Sequence, residues 1–239
     1  MVTTNGTLAP ERRERDFLVG MALLIAVTIA AGFGSFALRG MVVHPLPLLV
    51  HLHGFLFVSW VAIFVAQTLL IQRNALRLHR RIGWLTLLVA LAILVVGPAT
   101  AIESVILNRV PPFFPPNIFL ALSFIEIAQF AIMVGAAIIL RKQTDWHRRL
   151  MLGSMLTIIG PAWGRILPMP LLGPFGGFAV MAVTIVYVII AMGFDLRCRG
   201  KIHPAYYWVL AAVIVEGVGT PLLAMAPPVV ALANMLAPH

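Results

Sequence analysis

Two short motifs, His79-Arg80-Arg81 and His147-Arg148-Arg149, set an imidazole beside two guanidinium groups. An imidazole there can ligate a metal or pass a proton near neutral pH, and paired arginines hold phosphates or carboxylates. Each motif follows one long apolar stretch and opens the next, where exposed N–H groups and the helix dipole also favour an anion. Gln67 precedes His79 at the interval by which Gly135 precedes His147. That spacing suits either duplicated hairpins or two convergent basic turns. Lipid headgroup anchoring accounts for Arg80, Arg81, Arg148 and Arg149 on charge alone. It leaves the repeated histidine unexplained.

A second group lies inside the apolar stretches. In His51-Leu52-His53-Gly54 the two imidazoles point roughly 200° apart on a helix, so only one of them faces a given interior site. His53 is the better placed, on one stripe with Trp60 and Gln67, and Gly54 permits close approach of a neighbouring helix or flat cofactor. Glu103, Glu126 and Glu216 are carboxylates within apolar runs, where an ionised group costs about 2.5–3.5 kcal/mol on insertion scales and needs a partner, a proton or water. Ser123, Glu126 and Gln129 form a polar stripe. Arg165, in Gly160-Pro161-Ala162-Trp163-Gly164-Arg165, is the expected counterion, and Pro161 with Gly164 predicts a kinked or broken helix lining a cavity. His53, Glu126, Arg165 and Glu216, with Gln67 on the His53 stripe, define an expected polar pocket.

The elements that must hold these residues follow from composition. The chain is 61% hydrophobic and 10% charged, against about 45–50% and about 25% in soluble domains. Long apolar runs of roughly 20 residues recur almost end to end. We expect an all-α polytopic membrane bundle of seven transmembrane helices near 17–39, 47–71, 82–108, 117–140, 149–169, 176–196 and 205–226, after a 1–16 tail and before a short apolar 227–239 segment on the external side. Arg12, Arg13 and Arg15, the 73–81 and 141–149 connections, and Arg197, Arg199 and Lys201 alternate with connections carrying only Arg39, Arg109 and Arg165. The positive-inside rule then puts the N-terminus in the cytoplasm, in a bacterial inner membrane. The net charge of +9 is explained by this bias, without nucleic acid. The first apolar run is too long for a signal peptide and reads as a retained span.

Several chemistries are excluded by inventory. The lysines Lys142 and Lys201 lie in connections, so no Schiff-base lysine sits in a span; seven scattered histidines cannot furnish a histidine-rich di-iron centre. Cys198 is the single cysteine and supports neither an intrachain disulfide nor a cysteine-based metal site. No H-E-x-x-H, phosphate-binding Walker loop or G-x-S-x-G elbow occurs.

The His51-x-His53-Gly span followed by Leu78-His79-Arg80-Arg81-Ile82-Gly83 resembles a pattern in bacterial polytopic membrane proteins and is similar to small b-type-cytochrome-like membrane domains. The likeness covers spans two to five and lacks the two histidine pairs of the cytochromes. It implies a haem-associated fold and assigns no residue; by their placement on different helices, His79 and His147 are the candidate inner ligands or propionate partners of haem b and His53 an outer site, in a small redox protein exchanging electrons with quinone. A proton-coupled carrier of a small anionic or amphiphilic substrate is the second expectation, with Glu126 and Glu216 titrating and Arg165 holding the anion. A non-catalytic accessory or assembly subunit is the third. Its partner would be another membrane protein or a second copy of the chain, in addition to the lipid bilayer.

Overall fold

The computed structural model describes residues 5–42, 44–111 and 114–237. Helix α1 spans Asn5–Leu38, α2 Leu48–Gln72, α3 Leu76–Ile106 and α4 Pro116–Ile139. Then come α5 (Thr144–Leu156), α6 (Gly160–Ile166), the single turn α7 (Met169–Leu172), α8 (Gly176–Arg199), α9 (Ala205–Ala224) and α10 (Pro227–Leu236). Among the described residues no strand occurs. Six helical stretches among the described residues are long and apolar enough to cross a membrane: Arg12–Leu38, Leu48–Gln72, Leu76–Ile106, Pro116–Ile139, Met169–Arg199 and Ala205–Ala224. This is the architecture of an integral membrane protein. Large apolar side chains such as Val58, Trp84, Leu88, Val95, Ile139 and Leu222 point outward from the bundle, as lipid contact requires.

Local sequence explains where helices stop. α1, α2 and α3 end in the same double-bonded turn, with Gly40, Asn74 and Asn108 in left-handed conformation (φ 67°, 58° and 50°). In each, the left-handed residue's N–H and the next one return to carbonyls of the last turn, as in Asn74 N to Ile71 O at 3.1 Å and Ala75 N to Leu70 O at 2.8 Å. Pro116 and Pro227 open α4 and α10 at the position where a missing N–H costs nothing. The segment read as an N-terminal tail is helical from Asn5 onward and continuous with the first span.

The fifth expected span differs most. It is not one helix: α5 stops at Leu156, Thr157–Ile159 turn, and α6 restarts at Gly160. Pro161 has no N–H, and its ring collides with the carbonyl four residues back, that of Thr157. Thr157 Oγ1 turns back to donate to Ser154 O at 3.0 Å. The irregular Thr157–Ile159 stretch and its flanks from Leu152 to Gly160 are buried, so its backbone is wrapped in protein rather than lipid. The broken pair still runs the length of α1. Arg149 of α5 meets Glu14 at one end, and at the other Arg39 donates to the Arg165 carbonyl at 2.7 Å. From Glu14 to Arg39 is about 37 Å of helix at 1.5 Å per residue.

α4 lies antiparallel to α9, with Asn117 donating to Ala224 O at 3.0 Å and Gln129 to Ala212 O at 2.8 Å. Between these helices and α2, α5 and α8 sits the main core, including Trp60, Phe130, Met155, Ile159, Val188 and Val209. α1 meets α6 at Gly32, where a Cβ would lie 2.5 Å from the Ala162 carbonyl oxygen. The four basic segments gather at one end of the bundle, the basic end; Arg15 bonds Asn74, and Gln72 donates to Asp16 at 2.7 Å. The proline-rich connections and α10 occupy the far end, where Ala233 packs with Ala101, Val105 and Leu120.

Candidate functional site

In the far half of the bundle four elements bring one polar residue each to a common place. His53 comes from α2, Glu126 from α4, Arg165 from α6 and Glu216 from α9. The helix break is what admits them. A Cβ added to Gly160 would stand 3.0 Å from Glu216 Oε1 and 3.1 Å from Glu126 Oε1, so both carboxylates crowd onto the glycine that restarts the chain. Arg165 interacts electrostatically with Glu126 and with His53, and Glu126 with Glu216. No direct ion pair joins Arg165 to either carboxylate among the described residues. Its Nη1 instead donates to Pro161 O at 2.8 Å, and its guanidinium stands over Phe33 at 4.2 Å and Phe36 at 5.2 Å.

The cluster is under-bonded. His53 Nδ1, Glu126 Oε1, Arg165 Nε and Trp163 Nε1 are buried without a hydrogen-bond partner among the described residues. His53 stacks on Phe57 at 4.3 Å between ring centres, and Trp163 packs edge-on to Tyr187 at 6.3 Å. The Tyr187 hydroxyl pairs with Thr28 Oγ1 at 2.7 Å. Buried polar groups are normally satisfied, so a concentration of unmatched donors and acceptors around a broken helix is suited to a ligand, water or a migrating proton.

At the basic end His79 of α3 and His147 of α5 do come together, their rings edge to face with centres 6.4 Å apart. His147 Nδ1 pairs with Ala137 O at 2.8 Å, while His79 Nδ1 has no partner among the described residues. Gln67 belongs here and not in the far pocket: its Nε2 donates to His79 O at 3.2 Å and sits 3.4 Å from Thr86 Oγ1. The stripe that joins Gln67 to His53 spans about four helical turns, which separates the two sites.

The two arginine pairs also part company. Arg80 and Arg81 are exposed at the bundle surface. Arg149 is 1% exposed and cannot reach a headgroup. It donates through Nε to Asp195 Oδ2 at 2.9 Å, and through Nη2 to Asp195 Oδ1 at 2.5 Å and Glu14 Oε1 at 2.9 Å. Its guanidinium also lies 5.5 Å over the Tyr206 ring. Arg148 pairs with Glu14 at 3.0 Å and with Asp145. Arg199 bridges Glu14 at 2.8 Å and Asp145 at 3.0 Å. The result is a charge network tying α1, α5 and α8. Hydrogen bonding from Arg199, aided by the arginine charges, outweighs burial and holds the Asp145 carboxyl down to about 2. Burial and the Arg149 charge lower the His203 imidazole below its ordinary range, and its backbone N–H donates to Asp195 Oδ2 at 3.1 Å.

Glu14, Asp145 and Asp195 carry this network and do not stand out in the sequence. One signal is present there: an acid in the last turns of α8 opposes the helix dipole, so Asp195 needs a cation. His51 is exposed, whereas Glu103 keeps a buried Oε2 without a partner among the described residues. Cys198 is half-buried and free. No cluster of three or more His, Cys, Asp or Glu suited to a metal ion occurs among the described residues. Comparison with protein families, with curated proteins and with solved structures finds no match to this chain.

Proposed function

We propose that the protein is a proton-coupled membrane carrier whose working site is the far-half cluster of Glu126, Glu216, Arg165 and His53. The observation that carries this reading is the convergence of two buried carboxylates on Gly160 at the break between α5 and α6. Two carboxylates so close in an apolar interior repel, and one proton held between them removes the repulsion. Discontinuous helices near bilayer depth are a recurrent place for substrate and coupling-ion sites. Arg165 supplies the positive charge for an anionic group, and its approach would compete with Glu126 for that charge. Substrate binding and carboxylate protonation are thereby linked.

In this reading α5 and α6 together make the seventh crossing. The basic end faces the cytoplasm of a bacterial inner membrane, by the positive-inside rule, and the cluster opens toward the outside. Infrared difference spectra of the purified protein across a pH titration test it without knowing the substrate. A protonated-carboxyl band should appear and disappear with pH, and Glu126→Gln and Glu216→Gln should each abolish or shift it. A band-free titration in a folded protein overturns the coupling.

One observation favours a second reading, a haem-associated redox protein. His79 and His147 lie on different helices at one depth with ring centres 6.4 Å apart, which is the minimum that bis-histidine ligation of haem b asks. The Nδ1 bond of His147 to a backbone carbonyl leaves its Nε2 for a metal, the usual orienting arrangement. A bound haem would supply one-electron transfer to a quinone, while Arg80 and Arg81 would hold its propionates. A reduced-minus-oxidised absorption spectrum decides: a Soret shift lost in both His79→Ala and His147→Ala supports it, and a flat spectrum removes it.

A further inference from the structure

A groove of about 420 Å³ lies between α1 and α6 at the far end, lined by Ala31, Ser35, Arg39, Arg165 and Ile166. Its floor is set by sequence. Gly32 lets the α6 backbone come against α1 at Ala162; beyond that contact α6 ends at Ile166 and Leu167 turns to extended backbone. The groove runs along this contact to the point where Arg39 holds the Arg165 carbonyl. Ala31, Ser35 and Arg39 are spaced four apart, one stripe of α1, which continues toward the bundle's middle through Val27, 64% exposed. Phe33 and Leu38 are exposed nearby, so the groove's open side has the apolar character of a lipid-facing surface.

Its two ends have different chemistry. Toward the middle it offers only apolar side chains. At the far end stand two guanidinium groups. Arg39 donates from Nη2 to Arg165 O at 2.7 Å and from Nε to Ser35 O at 3.1 Å. Arg165 is carried on Phe33 and Phe36, and its buried Nε has no hydrogen-bond partner among the described residues. No carboxylate lines the groove among the described residues. Guanidinium donors recognise planar oxyanions with two parallel hydrogen bonds.

We infer that this groove is the loading site for a single-chain amphiphile with a carboxylate headgroup, which enters sideways from the outer leaflet. The headgroup sits between Arg39 and Arg165, and the chain lies along Ala31 and Val27. The inference rests on the carrier reading only for the transfer step after binding. Arg165 is the one residue shared by the groove and the inner cluster, so an oxyanion at Arg39 is handed inward by the side chain that faces Glu126 and His53. Arg39 thus becomes a specificity-determining residue that the inner cluster does not contain.

The test uses the full chain in nanodiscs of zwitterionic phosphatidylcholine, a photo-crosslinkable palmitate carrying a diazirine near the chain end, and mass-spectrometric mapping of the labelled peptides. Labelling concentrated on residues 23–31 of α1 is expected. Arg39→Gln should reduce it about tenfold and Arg39→Lys less. Arg141→Gln, at the basic end, should leave it unchanged. Equal labelling by the methyl ester, label spread over all lipid-facing helices, displacement by excess phosphatidylglycerol, or block by propionate alone would each overturn the proposal. The first two remove headgroup recognition, the third assigns the groove to bulk phospholipid, and the fourth to a small free anion. Labelling is also measured in Glu126→Gln: label that persists there while the wild-type carboxyl band fails to titrate separates a failed carrier reading from a sound binding site.

Discussion

A single side chain decides much of the basic end. Arg149 is shared by Asp195 and Glu14 with both acids buried, and breaking such a pair leaves uncompensated charge, at about 3–5 kcal/mol. Arg149→Met should therefore lower stability by about that amount in detergent unfolding, whereas Arg80→Met, at an exposed site, should change it by less than about 0.5 kcal/mol. Asp145 behaves differently because its side chain is 44% exposed. Its carboxyl is held at about 2 in the folded chain against about 3.9 when unfolded. Its depressed value means that the stabilisation is present above pH 3.9 and disappears as pH falls through 2. The melting-temperature gap between wild type and Asp145→Asn should thus be constant from pH 5 to 7 and close by pH 2. A gap that persists at pH 2 would show that Asp145 acts through packing. Sequence reveals His53, Glu126, Arg165 and Glu216 because polar residues stand out inside apolar runs. It hides Glu14 and Asp195 because residues at the edges of apolar runs look wetted until three separate helices close over them.

Helix contacts depend on glycine in a position-specific way. Gly32 has the Ala162 carbonyl oxygen 2.5 Å from where a Cβ would stand, and the obstacle is backbone, which cannot rotate away. Gly34 has nothing within 4 Å. Gly32→Ala should destabilise by about 1–3 kcal/mol through overpacking, while Gly34→Ala should be neutral or stabilise by up to about 1 kcal/mol through helix propensity. Thermal melting of the two variants side by side checks both. If Gly32→Ala melts like wild type, α1 and α6 do not approach so closely, and the groove above them loses its floor. The same scale shows what a hydropathy reading can and cannot place. Six long helices follow from run length alone, because an apolar run this long has one way to satisfy its backbone in lipid. Composition places the break in the fifth run at Pro161 and Gly164, yet it falls at Thr157–Ile159. Proline acts backwards, on the carbonyl four residues earlier, and the gap is stable only because other helices bury it.

At the scale of the molecule the decisive question is how many times the chain crosses. Composition predicts seven crossings, whereas six helices among the described residues are long and apolar enough to span, since the fifth apolar run contains no single helix of that length. The carrier reading requires a seventh, made by α5, tied to the Glu14 end of α1, and α6, tied to its Arg39 end. An odd number of crossings puts the connection at Lys142 and the final helix α10 on opposite sides of the membrane. Both Lys142 and Asn234 are exposed. In a Cys198→Ser background, Lys142→Cys should react with an impermeant maleimide only in inside-out vesicles, and Asn234→Cys only in right-side-out ones. Reaction of both from the same side would mean that α5 and α6 do not cross. The far-half cluster would then lose its route between the two faces, and with it the carrier reading, whereas the histidine pair at the basic end would be untouched. The labelling pattern therefore separates the two functional readings before any substrate is known, because only one of them needs the broken helix to traverse the bilayer.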